Sequence, residues 1–154
     1  MELKSMKIIL GTDGSEFSDA AADKCSEMFG SIDGAQIRVV CAFEEVQVIA
    51  AEPFALSPEY YQAMADAARK QAEHFAQTTV ERMKDRCEKA SVSPEVLTGK
   101  PANCIVEFAK EWNADLIVVG SHGRGFWGRM LGSVSNGVVN HAPCSVIVVR
   151  KSAE

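Results

Sequence analysis

Between Leu116 and Arg150 the sequence has no aspartate and no glutamate, although the 154-residue chain carries 21 of them against 16 lysines and arginines. The formal charges in that stretch are Arg124, Arg129 and Arg150. A chain of net charge −5 has kept its carboxylates out of one long segment. The overall acidity argues against nonspecific nucleic-acid binding, which needs a basic face. It leaves room for a small anion held by backbone donors. No run reaches the ~18 apolar residues of a membrane-spanning helix, and no apolar export segment opens the chain, so no membrane is expected and a cytoplasmic location is. The cysteines Cys25, Cys41, Cys87, Cys104 and Cys144 form no C-x-x-C pair. His141 with Cys144 is only a two-member set, so no metal centre is expected. The cysteines read as small buried apolar residues in a reducing compartment. Repeats, linkers and low-complexity segments are also lacking, and the length fits one domain over 1–154.

The segment without carboxylates is rich in glycine. The apolar run Leu116-Ile117-Val118-Val119 stops at Gly120-Ser121-His122-Gly123. Gly125, Gly128 and then Gly132-Ser133-Val134-Ser135 follow, a short helical pattern runs to His141, and a second apolar run covers Ser145 to Arg150. This reads as strand, glycine loop, helix, strand. Such loops hold phosphate in α/β proteins, because glycine lets backbone N–H groups approach an anion at a helix N-terminus. The spacing is neither a P-loop nor the G-x-G-x-x-G dinucleotide pattern, and an ordinary βα loop stays open as a reading.

Ahead of it, Met6 to Leu10 reads as a buried first strand ending in Gly11-Thr12-Asp13-Gly14-Ser15. Ser15 or Ser18 can cap the next helix, whose apolar face would be Ala21, Cys25 and Met28, with Gly30 as its stop. Asp13 stands where open α/β sheets bind ligands, or bonds its own backbone in an Asp-Gly turn. Gln36 to Phe43 is the second strand, and an unusually long, apolar connection runs from Glu44 to Leu56. Ser57-Pro58 starts a helix that could continue to Lys89. Its stripe is Tyr61, Met64, Ala68, Ala72, Phe75, Thr79, Met83 and Cys87. Val92 to Leu97, broken by Pro94, fits an edge strand, and a helix from Pro101 to Trp112 leads back to Leu116. The alternation β-α-β-α-β-α-β-α-β predicts a three-layer α/β fold: a parallel five-stranded sheet with helices on both faces.

Taken together, these residues resemble the universal stress protein family in its nucleotide-binding branch. The resemblance runs from Ile8-Ile9-Leu10 with Thr12-Asp13-Gly14-Ser15, through Gly99-Lys100-Pro101-Ala102 and Ala114 to Gly120, to His141-Ala142-Pro143-Cys144-Ser145-Val146. It implies a Rossmann-like fold of the adenine nucleotide α-hydrolase type, with strand order 3-2-1-4-5 and a ligand crevice between strands 1 and 4. It implies that Thr12 and Asp13 lie by adenine and ribose and that the backbone of Ala42 reads the adenine edge. Gly120, His122 and Gly123 would line the ribose and first phosphate, and Arg124 would also belong to the nucleotide site. Gly132, Ser133, Val134 and Ser135 would hold the outer phosphates. Eight residues, Arg124 to Leu131, separate Gly123 from Gly132, one fewer than the family's usual spacing. The loop or the first helical turn must be one residue tighter; if this pulls Gly132 and Ser133 off the outer phosphate, ADP or AMP should bind nearly as well as ATP.

The expected function is ATP or other adenine-nucleotide binding, with Mg2+ able to accompany the nucleotide, in a stress or regulatory protein with a protein partner still to be named. No catalytic residue is assigned. Phosphoryl transfer usually needs an activated nucleophile and carboxylate-held Mg2+, and the glycine stretch supplies no carboxylate; His122 is the one candidate general base. A slow or partner-activated ATP hydrolase and a dimeric module that binds no nucleotide stay open. A homodimer is expected through the last strand, Ser145, Val146, Ile147, Val148, Val149 and Arg150, because this β-branched edge has no proline and no following helix.

Overall fold

The computed structural model describes residues 4–45, 57–123 and 130–152. The elements are β1 (Lys7–Gly11), α1 (Glu16–Phe29), β2 (Gln36–Phe43), α2 (Pro58–Lys84), β3 (Ser91–Thr98), α3 (Pro101–Trp112), β4 (Leu116–Gly120), α4 (Ser133–His141) and β5 (Ser145–Val149). The strands form one parallel sheet in the order β3-β2-β1-β4-β5. β1 is central because it is apolar on both faces: Ile8, Ile9 and Leu10 are fully buried. Strand alternation divides the core. Ile8, Leu10, Ile37, Val39, Leu116 and Val118 meet α1 and α2, while Ile9, Val40, Ile117 and Val119 meet α3 and α4.

Local chemistry starts the helices where the sequence suggests. Ser15 caps α1 by accepting from Ser18 N, and Ser57 caps α2 by accepting from Tyr60 N with proline next in line. α3 closes on Asn113 in the left-handed conformation (φ 57°).

Several expectations need correction. α2 ends at Lys84 instead of running on to Lys89. The cause is distant in sequence: the carbonyl of Gly30, past the end of α1, accepts from Lys89 N and Ala90 N at 3.1 and 3.2 Å. The chain follows those acceptors out of the helix. Only the later half of the α2 stripe is core; Ala72, Ala76, Thr79, Val80 and Met83 are buried, whereas Met64 is 38% exposed. A 27-residue helix is about 40 Å long, whereas an eight-residue strand spans only about 27 Å. On α1 the buried face ends at Phe29, and Met28 is exposed. β3 passes through Pro94 unbroken, as an edge strand can. β1 starts one residue later than expected, and β5 ends at Val149 instead of Arg150. Among the described residues no helix is long and apolar enough to cross a membrane. From residue 46 onward the apolar connection toward Leu56 lies outside the described residues, and so does Arg124.

Candidate functional site

β1 and β4 are neighbours, yet the chain leaves them toward opposite faces of the sheet, to α1 and to α4. Their carboxyl ends therefore flank a crevice, the usual ligand position in such sheets. A cavity of about 250 Å³ occupies it. Thr12, Asp13, Ala42, Gly120, His122, Gly123, Gly132, Ser133, Val134 and Ser135 all line this cavity. Gly11, Ser18, Val40, Pro101, Ile105 and Val119 line it too and were not singled out in the sequence. Two of them carried a usable sign. Val40 shares a strand face with Ala42, and Ile105 lies one helical turn beyond Pro101. Gly11 reads as part of a strand-end loop, Ser18 as a helix cap, Pro101 as a helix start and Val119 as strand core.

Asp13 closes its own turn and also stands at the cavity. Its Oδ1 accepts from Ser15 N at 2.9 Å, closing the turn in which Gly14 has φ 76°. Its Oδ2 faces Gly123, where an added Cβ would stand only 2.7 Å away. Thr12 is buried and contributes little polar surface to the cavity: its Oγ1 is drawn into a cluster with Ser18 Oγ at 3.2 Å and Thr79 Oγ1 at 3.1 Å.

The backbone of Ala42 is placed by the end of β1. Thr12 N donates to Val40 O at 2.9 Å, so Val40 points its polar groups toward β1. Strand alternation turns those of Ala42 the same way, past Gly11, where β1 has stopped. An N–H and a C=O thus face the cavity beside the apolar side chains of Val40, Ile105 and Val119.

The glycine stretch owes much of its chemistry to packing. A Cβ on Gly120 would sit 2.8 Å from Phe17 O, so the first turn of α1 is what requires glycine there. His122 Nε2 faces the carbonyl oxygen of Met130, which can only accept, and Nδ1 lies 3.0 Å from Ser121 Oγ. Nε2 therefore carries a proton and donates it to that carbonyl. This tie brings Met130 back to the end of β4. Gly132 N also returns, donating to Ser121 O at 2.8 Å. Gly132 and Ser133 thus stand on the cavity wall.

Gly132 caps α4 without a side-chain hydrogen bond, and Asn136 N makes the first bond back to Gly132 O. The amides of Ser133, Val134 and Ser135 precede that bond and have no intrahelical acceptor. The hydroxyl of Ser135 is not a matching donor. It is buried, and its single proton is shared between Ser121 O at 2.9 Å and Gly132 O at 3.1 Å. Asp13 is the only charged side chain among the described lining residues. The unbonded amides of Ser133, Val134 and Ser135 are backbone donors on this wall. Among the described residues no three His, Cys, Asp or Glu side chains gather as a metal site.

A model of the universal stress protein family matches residues 4–150. A universal stress protein of Thermus aquaticus is 37% identical over 93% of this chain and 97% of its own length. One from Methanocaldococcus jannaschii is 32% identical over 94% of this chain and 82% of its own. Among solved structures, a universal stress protein from Lactobacillus plantarum aligns with TM-score 0.78 at 23% identity, over 97% of this chain and all of that one. A universal stress protein in complex with cAMP aligns with TM-score 0.62 at 25% identity, over 96% and 98% of the two chains. An Arabidopsis thaliana family member with AMP bound aligns with TM-score 0.68 at 19% identity, over 96% and 93%.

Proposed function

The chain belongs to the universal stress protein family, and we propose that it is a cytoplasmic regulatory protein whose ligand is an adenine nucleotide. One observation carries this reading: the inward-facing backbone of Ala42, the Asp13 carboxylate and the amides at the start of α4 converge on one cavity. The base lies between Val40, Ile105 and Val119 and pairs its edge with the Ala42 backbone. Asp13 accepts from the ribose hydroxyls. The phosphates lie along Gly120, His122, Gly123 and Gly132 and reach the amides of Ser133, Val134 and Ser135, where helix-start donors favour an anion. The adenine nucleotides bound by fold neighbours support this choice of ligand.

ATP, ADP and AMP fit the same base and ribose contacts. Backbone donors stabilise phosphate without selecting its number, and Ser135 directs its proton elsewhere, so AMP and ADP bind nearly as well as ATP. A Mg2+ ion would arrive on the phosphates, with Asp13 as the one carboxylate within the described wall; Mg2+ commonly needs few protein ligands. Rapid hydrolysis is not favoured, because both His122 ring nitrogens already face hydrogen-bond partners. The protein also forms a homodimer, for which the edge strand β5 is the suited surface.

The test is to denature the purified chain and identify any small molecule released, then to titrate AMP, ADP and ATP by calorimetry. An adenine nucleotide in the release, with similar affinities across the three, is expected. No binding of any of them would sink the reading, and turnover above about 1 s⁻¹ would favour an enzyme instead.

A further inference from the structure

Thr79 is a hydroxyl on an otherwise apolar face. Along α2 its buried neighbours are Ala72, Ala76, Val80 and Met83, and Thr79 itself is 3% exposed. A buried hydroxyl is costly unless it is paired. Its partner is Thr12 Oγ1, at 3.1 Å, at the cavity.

The direction of each proton follows from accounting. Ser18 Oγ donates to Ser15 O at 2.9 Å, so toward Thr12 it can only accept. Thr12 Oγ1 therefore donates to Ser18 Oγ, at 3.2 Å. Having donated there, Thr12 can only accept from Thr79, while it also accepts from Gly14 N at 3.3 Å. A hydroxyl has one proton and two lone pairs, and all three are now in use. The chain of donation runs from Thr79 to Thr12 to Ser18 to the Ser15 carbonyl. One turn earlier on α2, Phe75 packs so closely on Gly14 that a Cβ there would stand 2.5 Å from its ring. Two side chains of α2 thus brace the turn that presents Asp13 to the cavity, although neither lines the cavity.

We propose that Thr79 is a positioning residue for the ligand site: it fixes Thr12, and through Thr12 the Asp13-Gly14 turn, in the geometry that receives the ribose. This rests on the adenine-nucleotide reading above. The hydroxyl of Thr12 is the relay, saturated by the protein, and not a ligand contact. In Thr79→Val the shape is kept and the donor is lost. A lone pair of Thr12 is left without its partner, and Thr12 can turn away from Gly14 N.

The experiment compares the native chain with Thr79→Val and Thr79→Ser. AMP affinity is measured by calorimetry and exchange of the Gly14 amide by NMR. For Thr79→Val, AMP affinity is expected to fall by about fivefold or more, the scale of one hydrogen bond, with faster Gly14 exchange. Thr79→Ser should restore both. A folded Thr79→Val with native AMP affinity would overturn the proposal, as would weakened binding that serine does not rescue. If Thr79→Val is too unstable to measure, Thr79→Ala at lower temperature reads the same two quantities, with serine again as the rescue. Absence of AMP binding in the native chain would overturn the functional reading; Gly14 exchange unchanged by Thr79→Val would overturn the brace itself.

Discussion

Gly120 and Gly123 belong to one sequence pattern, but the fold requires each for a different reason. At Gly120 an alanine would press its Cβ into the backbone of Phe17, which cannot swing away. Gly120→Ala should therefore cost about 1–3 kcal/mol of stability, the usual range for overpacking, read as a lower melting temperature with or without ligand. At Gly123 the obstacle is the Asp13 carboxylate, the end of a side chain that can yield. Gly123→Val should fold, yet lower AMP affinity by at least about tenfold, because loss of one charge-assisted hydrogen bond is that large. Unchanged affinity in calorimetry would rule out this placement of the phosphate. The glycines thus marked the site in the sequence without showing their tasks. The same holds for the polar side chains. Thr12, His122 and Ser135 stand on the cavity wall as expected, but their hydrogen bonds run to Ser18, Met130, Ser121 and Gly132. Sequence shows which residue carries a hydroxyl; only the folded neighbours show where its proton points. Cys25 was legible as a buried apolar residue, and burial, then Cys87, pushes its thiol up to about 12. Its neutral form is the native one, so the stability it supports is complete below the ordinary value of 9.0 and is lost as pH rises toward about 12. Iodoacetamide at neutral pH should leave Cys25 unmodified in the folded chain and label it after denaturation.

Among the elements, α2 departs furthest from its sequence pattern. Nothing in the local sequence breaks it before Lys89, and the acceptor that draws the chain away is Gly30 O, just past the end of α1. Strands and other helix starts were legible because they depend on apolar runs and caps within a few residues, whereas this stop depends on a contact across the chain. α2 is also fastened to α1 by charge. Arg82 makes two hydrogen bonds to Asp23, each 2.9 Å, and Arg86 lies 3.6 Å from the same carboxylate. The hydrogen bonds from Arg82 hold the Asp23 carboxyl below its ordinary value of 3.8. A carboxyl lowered on folding adds stability above its unfolded pKa, and that gain is lost as pH falls through the lowered folded value. Asp23→Asn should melt below the native chain at neutral pH, by a small margin since the pair is partly exposed. The gap should close under acid below pH 3.8; a pH-independent gap would assign the effect to packing.

For the whole molecule, the two edges of the sheet are unlike. β3 carries Pro94, while β5 is apolar and β-branched. Val149 O accepts from Ser121 N, so Val149 turns toward β4, and alternation directs the backbones of Val146 and Val148 away from the sheet. Light scattering should give twice the 16.7 kDa chain mass. Val148→Pro removes an outward donor without touching the β4 ladder and should give a folded species of one chain mass; a native monomer would show that β5 is not the contact. The pairing of β1 with β4 has a different consequence, one of time. The amide of Lys7 meets the carboxylate of Asp115 across 108 residues, while β1 and β2 pair much closer in sequence. Closing so long a loop is slow, so β1, β2 and β3 can associate while the β4 side of β1 is still open. The cavity lies on that seam and exists only once both halves have met. A nucleotide that needs both walls cannot guide the chain toward the barrier, and can only hold it after crossing. In stopped-flow experiments AMP should slow unfolding and leave the folding rate as it was.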